Sequence, residues 1–279
     1  MNKLILNGQG LILEVETFPV IMGVINLTED SFYEDSRIQH ENGLLTRVEK
    51  MLTDGAQVID IGAMSSRPGA KVIDPQKEVK IVCSALKVIR KEFPQTFISI
   101  DTVHGLVAKA SLNLGANMIN DISAGRIDAT ILDIVEEFQI PYVLMHMKGI
   151  PENMHLNTKY DDIVCELLAF FSNKIRYLQN RNIHQIVLDP GFGFSKNISS
   201  NFTLLKELQS FTIFDLPLLI GISRKSFIYK SLDITAREAL NGTSVLHAIA
   251  LQHGARIIRT HDVKEALEAA ILIEMLKKG

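Results

Sequence analysis

Short apolar runs that end in polar residues alternate along the chain with longer segments of helical period. Each run is apolar on both faces, as expected for a parallel strand covered by helices, and the segments between runs are long enough for crossover helices. The eight runs are VIMGVIN (20–26), VIDIG (58–62), FISIDT (97–102), MINDIS (118–123), YVLMHM (142–147), QIVLD (185–189), LLIGIS (218–223) and ARIIRTH (255–261). This pattern predicts a repeated βα unit.

Eight such units in 279 residues predict a single (β/α)8 TIM barrel, a fold that commonly takes about 250 residues. An open doubly wound sheet uses the same alternation, but eight units favour closure and no GxGxxG follows the first run. Before that run, LILNGQGLILEV reads as a hairpin around Asn7-Gly8. We expect one domain over 1–279, with an N-terminal hairpin (1–17) that plugs the bottom of the barrel (18–279).

Composition excludes several classes of protein. Hydrophobic residues make up 47% and charged residues 22%, which is enough apolar surface for a large core. The net charge of −3 does not indicate a nucleic-acid-binding protein. No signal pattern and no apolar run of about 18 residues occur, so we expect a cytoplasmic protein without a membrane partner. Cys83 and Cys165 are far from any CxxC spacing and read as reduced thiols.

Polar residues at the strand ends predict a binding site, because a β/α barrel carries its active site at the carboxyl ends of the strands. Asp101, Asn120 and Asp189 end the third, fourth and sixth runs. An Asp can accept two parallel N–H bonds, an Asn can pair with a ring nitrogen, and Lys225 can donate to a ring carbonyl. These residues predict a site for a nitrogen heterocycle.

Cations near the second and eighth strand ends predict an anion site. Arg67, Arg259 and His261 could hold a phosphate or pyrophosphate, with Arg224 and Lys225 after the seventh strand. No HxH or ExxH spacing supports a dedicated metal site. Mg²⁺ held by Asn26 and substrate phosphates is compatible with the ion's habit of keeping most of its waters.

Structural explanations compete with these roles. Asp60, Asp121 and Ser223 could cap the following helix or satisfy a turn, as Asp and Ser often do. Arg259 could form a barrel ion pair with nearby aspartates.

In order along the chain, eight motifs resemble those of the dihydropteroate synthase family, the sulfonamide target of folate biosynthesis. They are IMGVINLTEDSF (21–32), IDIGAMSSRPGA (59–70), SIDT (99–102), INDISAG (119–125), LMHMKGIPENM (144–154), LDPGFGFSKN (188–197), GISRKSF (221–227) and GARIIRTHDV (254–263). The resemblance implies a transferase that condenses 6-hydroxymethyl-7,8-dihydropterin pyrophosphate with 4-aminobenzoate. The products would be 7,8-dihydropteroate and pyrophosphate.

The resemblance also implies a role for each matching residue. Asp101, Asn120, Met145, Asp189 and Lys225 would bind the pterin. The catalytic residues would be Arg67, Lys225, Arg259 and His261. Of these, Arg67, Arg259 and His261 would stabilise negative charge on the leaving group. The 4-aminobenzoate pocket would be Phe32, Ser66, Pro68, Phe194, Lys225 and Ser226. Asn26 would contact Mg²⁺, and no protein nucleophile would be needed. Members of the family are commonly homodimers, so the resemblance also implies a homodimer that acts on small-molecule substrates.

The chain departs from the family pattern mainly in the loops after the first two strands. Glu29 replaces the usual Pro, Tyr33-Glu34-Asp35-Ser36 replaces Ser-Asp-Gly-Gly, and Met64 and Ser66 replace Glu and Thr. The usual Gly after the sixth strand is Ser195. These changes leave the pterin residues intact, so we expect turnover with altered sulfonamide inhibition.

Two rival functions share pterin-binding strand ends. A methyltransferase that passes a methyl group from methyltetrahydrofolate to a corrinoid would not be expected to show SSRPG and SRKSF together. A non-catalytic pterin-binding paralogue is disfavoured by the intact Arg67, Lys225, Arg259 and His261.

Overall fold

A computed structural model describes residues 4–27, 37–63 and 73–279. Its strands are β1 (Ile5–Gly8), β2 (Leu11–Glu14), β3 (Val20–Asn26), β4 (Val58–Gly62), β5 (Phe97–Asp101), β6 (Met118–Asp121), β7 (Tyr142–Met145), β8 (Ile186–Asp189), β9 (Leu219–Ile220) and β10 (Ile257–Thr260). β3 to β10 form a parallel sheet in the order β8-β7-β6-β5-β4-β3-β10-β9. A parallel bridge between Leu188 and Leu218 joins its two edges, which confirms the barrel and rules out the open sheet.

Helices cover the outside of this barrel. They are α1 (Arg37–Thr53), α2 (Pro75–Glu92), α3 (Gly105–Leu112), α4 (Thr130–Phe138), α5 (Ile163–Asn180), α6 (Ile198–Lys206), α7 (Ser226–Ser231), α8 (Leu240–Gln252) and α9 (Val263–Lys278). Local sequence sets several boundaries: the Asp74 carboxylate caps α2 by accepting from Gln76 N and Lys77 N, and Pro75 begins that helix. Within the described residues, no helix is long and apolar enough to cross a bilayer. Cys83 and Cys165 are free thiols, as predicted.

The N-terminal hairpin closes the bottom of the barrel. Leu6 and Leu13 are buried against the lowest inward-facing layer of the strands, which includes Met22, Phe97 and Met118 among other residues. The predicted plug is therefore confirmed, and its position seals the end of the barrel opposite the strand carboxyl termini.

The turn of the hairpin differs from the prediction. The strands pair Gly8 with Leu11, so the two turn residues are Gln9 and Gly10, both with positive φ, rather than Asn7 and Gly8. Such a two-residue turn needs positive φ at both positions, which Gly10 supplies readily. Asn7 instead accepts from Gly10 N through its side chain, at 3.2 Å.

Alternation along the strands decides which side chains enter the barrel. In β4, Ile59 and Ile61 pack outward in the layer between strands and helices, so Val58 and Asp60 point inward. Val58 belongs to the sealed bottom layer, whereas Asp60 lies one step nearer the open mouth. The same alternation in the other strands brings polar side chains together at the carboxyl end.

Candidate active site

Inward-facing polar side chains meet at the mouth of the barrel around one guanidinium group. Arg259 of β10 donates from Nε to Asp60 Oδ2 at 2.6 Å and from Nη2 to Asp101 Oδ2 at 2.7 Å. Asn120 Nδ2 donates to the same Asp60 oxygen at 3.1 Å. The ion pair suggested as an alternative for Arg259 is thus present, and it lies within the predicted site.

Burial and charge oppose each other in this network. Burial raises the pKa of the Asp101 carboxyl, and the neighbouring Arg259 only partly offsets that effect. Burial disfavours the charged guanidinium too, but Asp60 and Asp101 outweigh it and raise the pKa of Arg259. Within the described chain, Asp60 Oδ1 and Asp101 Oδ1 are buried without hydrogen-bond partners. As a carboxylate oxygen, Asp101 Oδ1 can accept a hydrogen bond from a ligand.

Asp189 and Lys225 form the opposite side of the mouth. Asp189 ends β8 and accepts from Gly191 N at 2.7 Å. Lys225 Nζ donates to the Phe192 carbonyl and lies 4.5 Å from the centre of the Phe194 ring. Burial lowers the pKa of Lys225 to about 8, although Asp189 favours its charged form. These two residues place a carboxylate and an amine beside an aromatic ring.

An apolar surface lines the mouth next to these groups. Met145 pairs in register with Asp189 and is buried with Phe194 in a small cluster. The other buried members of that cluster are Val103, Ile122, Met147 and Met154. A flat heterocycle could pack on this surface while its polar edge meets the carboxylates.

The loop after β8 depends on a buried lysine whose contacts the sequence did not reveal. Lys196 Nζ donates to the carbonyls of Gly191 and Phe194, at 2.9 and 3.0 Å, and lies 3.2 Å from His146 Nδ1. Burial lowers the pKa of Lys196 to about 7. Ser195, the residue that departs from the family glycine, takes positive φ and accepts from Lys148 N. The serine therefore takes a backbone conformation that glycine adopts readily, and its hydroxyl bonds to a neighbouring backbone N–H.

Three polar residues near the strand ends have structural contacts. Asp121 points away from the barrel interior and accepts from Ser123 N, Gly125 N and the Tyr142 hydroxyl, which matches the predicted turn role. Arg224 is engaged in a two-pronged ion pair with Asp262, at 2.8 and 2.9 Å. Ser223 Oγ accepts from His261 N. The cation available to a ligand after β9 is consequently Lys225 rather than Arg224.

The remaining predicted residues lie at the outer edge of the barrel mouth, here called the rim, or outside the described residues. Asn26 at the end of β3 and His261 after β10 are exposed, and Ser226 begins α7. No group of three His, Cys, Asp or Glu side chains in the described ranges could hold a metal ion. The predictions that fall outside those ranges concern Phe32, Ser66, Arg67 and Pro68, together with the departures at Glu29, Tyr33, Glu34, Asp35, Ser36 and Met64.

Comparisons with known proteins cover nearly the whole chain. A family model described as pterin binding enzyme matches residues 22–261. The Escherichia coli dihydropteroate synthase is 38% identical over 272 residues, which cover 96% of this chain and 94% of that protein. A Yersinia pestis dihydropteroate synthase solved with a sulfonamide drug superposes with a TM-score of 0.91 at 35% identity, covering 99% of this chain and 100% of that one. A Xanthomonas albilineans dihydropteroate synthase solved with 4-aminobenzoic acid gives a TM-score of 0.91 at 30% identity and full coverage of both chains.

Proposed function

The chain belongs to the dihydropteroate synthase family of pterin-binding enzymes, and we propose that it condenses 6-hydroxymethyl-7,8-dihydropterin pyrophosphate with 4-aminobenzoate. The products are 7,8-dihydropteroate and pyrophosphate, and the reaction is a step of folate biosynthesis. The observation that carries the proposal is the convergence of Asp101, Asn120, Asp189, Lys225 and Arg259 on one barrel mouth.

The pterin ring would occupy the space between the acidic strand ends and Met145. Asp101 Oδ1 and Asp189 can accept from ring N–H groups, and the Asn120 amide can pair with ring atoms at the same edge. Lys225 Nζ can donate to the ring carbonyl from its position over the Phe194 ring. This complementarity of donors and acceptors supports a pterin over a purely apolar ligand.

Charge stabilisation at the rim would drive departure of pyrophosphate. The bond between the exocyclic CH₂ carbon and the pyrophosphate oxygen breaks, and its electron pair leaves with pyrophosphate. The arylamine nitrogen then forms a bond to that carbon and loses a proton to solvent. We assign stabilisation of the leaving group to Arg67, Arg259 and His261, whose positive or hydrogen-bonding groups act where negative charge develops.

Asn26 is the proposed protein contact for Mg²⁺. Its side chain is exposed at the rim, and one amide oxygen suits an ion that takes its other ligands from water and substrate phosphates. When bound, Mg²⁺ would neutralise part of the phosphate charge. Asn26 would orient the pyrophosphate toward the cations of the rim.

For 4-aminobenzoate we propose a pocket beside the pterin. Phe194 is buried under the Lys225 ammonium, and Ser226 lies at the first position of α7, where backbone N–H groups would meet the carboxylate of 4-aminobenzoate. Phe32, Ser66 and Pro68 would complete the pocket by their motif positions. The ring would thereby be held with its amine toward the exocyclic carbon of the pterin.

We also propose that the enzyme is a cytoplasmic homodimer. The free thiols Cys83 and Cys165 suit a reducing compartment. On α9, the side chains of Leu272, Met275 and Leu276 are 65%, 64% and 68% exposed on one face, and α9 packs beside α8. An apolar face of this kind favours a second copy of the chain as its partner.

Product analysis tests the proposed function against its rivals. Purified protein, both substrates and Mg²⁺ should yield dihydropteroate detectable by mass spectrometry. A non-catalytic binder would take up the pterin in a calorimetric titration and form no product. A methyltransferase would instead consume methyltetrahydrofolate in the presence of a corrinoid acceptor.

A further inference from the structure

Asp60 joins the two halves of the mouth. Its side chain is fully buried, and its Oδ2 accepts from Arg259 Nε at 2.6 Å and from Asn120 Nδ2 at 3.1 Å. Arg259 belongs to the proposed pyrophosphate group, and Asn120 belongs to the proposed pterin group. A single carboxylate oxygen therefore contacts one residue from each of the two groups.

We infer that Asp60 is a positioning residue that fixes the Asn120 amide and the Arg259 guanidinium together and so shapes both ligand subsites. The inference rests on the proposed function. An ionised carboxylate only accepts hydrogen bonds, so Asn120 must turn its Nδ2 toward Asp60. The opposite end of the amide, Oδ1, is then left to accept from a ring N–H. Asp60 thus determines which atom of Asn120 the heterocycle meets.

A purely stabilising role fits these surroundings poorly. Arg259 already has a second carboxylate in Asp101, and a buried ion pair contributes little net stability because desolvation offsets the attraction. Asp60 Oδ1 is buried without a hydrogen-bond partner in the described part of the chain. Such unpaired polar atoms cost stability, which points to a role in the site.

A double-mutant cycle tests the inference with two probes, 6-hydroxymethylpterin and inorganic pyrophosphate, each titrated by calorimetry. In Asp60→Asn the neutral amide no longer dictates the orientation of Asn120, and Arg259 loses one charged partner. We expect each probe to bind at least about tenfold more weakly. In an Asn120→Ala background, Asp60→Asn should weaken pterin binding by less than about twofold, because Asp60 acts on the pterin through Asn120. Independent losses that multiply in the double variant would overturn the inference.

Ser99→Ala is the matched control, since Ser99 pairs in register with Asp60 and its buried hydroxyl forms no hydrogen bond with Asn120 or Arg259. Both probes should bind it within about twofold of the unmodified protein. Should Asp60→Asn fail to fold, as judged by urea unfolding, Asp60→Glu replaces it in the same cycle, because one added methylene displaces the carboxylate from Asn120. Full binding of both probes by the folded Asp60 variant would overturn the inference even if the unmodified enzyme turns over. Conversely, the predicted cycle in a protein that forms no product would contradict the proposed function alone.

Discussion

At Lys225, burial disfavours the positive charge that we assign to pterin binding. Its ammonium lies among the Phe192 carbonyl, the Phe194 ring and Asp189, and burial lowers its pKa to about 8. A lysine with a lowered pKa is charged below that value and loses its proton as the pH rises through it. The charge that we assign to pterin recognition is therefore sensitive to mildly alkaline conditions.

We expect affinity for the dihydropterin substrate to fall as the pH rises from 7 to 9, with a midpoint near 8, because Lys225 loses its proton over this range. Titration of the ligand into the enzyme at several pH values measures this. Lys225→Gln is the control, because it should bind more weakly at pH 7 and lack the midpoint. An identical pH profile in the variant would show that another group titrates.

The roles of single residues were only partly predictable from the sequence. Strand ends could be located, but Asn120 and Asp121 are neighbours that point to opposite sides of the sheet, and only the pairing register separates them. Asp60 looked like a possible cap because its partners, Arg259 and Asn120, are distant in sequence. Lys196 gave no signal of its contacts with backbone carbonyls, since those contacts depend on how the loop folds back.

Among the elements, the hairpin seals the bottom of the barrel through close backbone packing. A Cβ atom added at Gly8 would lie 2.2 Å from the Asn117 carbonyl oxygen, and Asn117 Nδ2 donates to Gly8 O at 2.8 Å. The predicted turn was two positions from the observed one, yet the hairpin itself was predicted correctly. The alternation of buried leucines determines the strand pairing more strongly than the turn dipeptide does.

Gly8→Ala should lower the free energy of unfolding by about 1–3 kcal/mol, because the barrel floor would have to shift to admit the methyl group. Urea unfolding monitored by circular dichroism measures the change. Gly43→Ala is a matched control on the exposed side of α1, where an added Cβ meets open space and should stabilise the helix by about 0.5–1 kcal/mol. Equal effects of the two substitutions would contradict the close packing of the hairpin.

For the molecule as a whole, the alternation of strands and helices was sufficient to predict the barrel and its open end. Eight apolar runs each supply a parallel strand, and their polar ends lie at one mouth because the strands are parallel. The oligomeric state could not be predicted from the sequence pattern in the same way. Apolar residues on one face of the last helix are compatible with either a buried core or a subunit interface, and only their exposure in the structure separates the two.

The exposed apolar side chains of α9, which are Leu272, Met275 and Leu276, should hold two copies of the chain together. Light scattering should give twice the chain mass of 31.1 kDa, and Leu272→Lys with Met275→Lys should shift the protein to monomer. Ile213→Lys changes another exposed apolar residue, which lies outside α9, and should leave the mass unchanged. A monomeric unmodified protein would contradict the proposed dimer.

Release of pyrophosphate with and without 4-aminobenzoate tests the central claim most directly. With Mg²⁺ and dihydropterin pyrophosphate present, we predict that adding 4-aminobenzoate causes sustained release, with one pyrophosphate formed for each dihydropteroate. Binding of the pterin with no release of pyrophosphate, or release that never yields dihydropteroate, would contradict the assignment of this barrel mouth to the condensation.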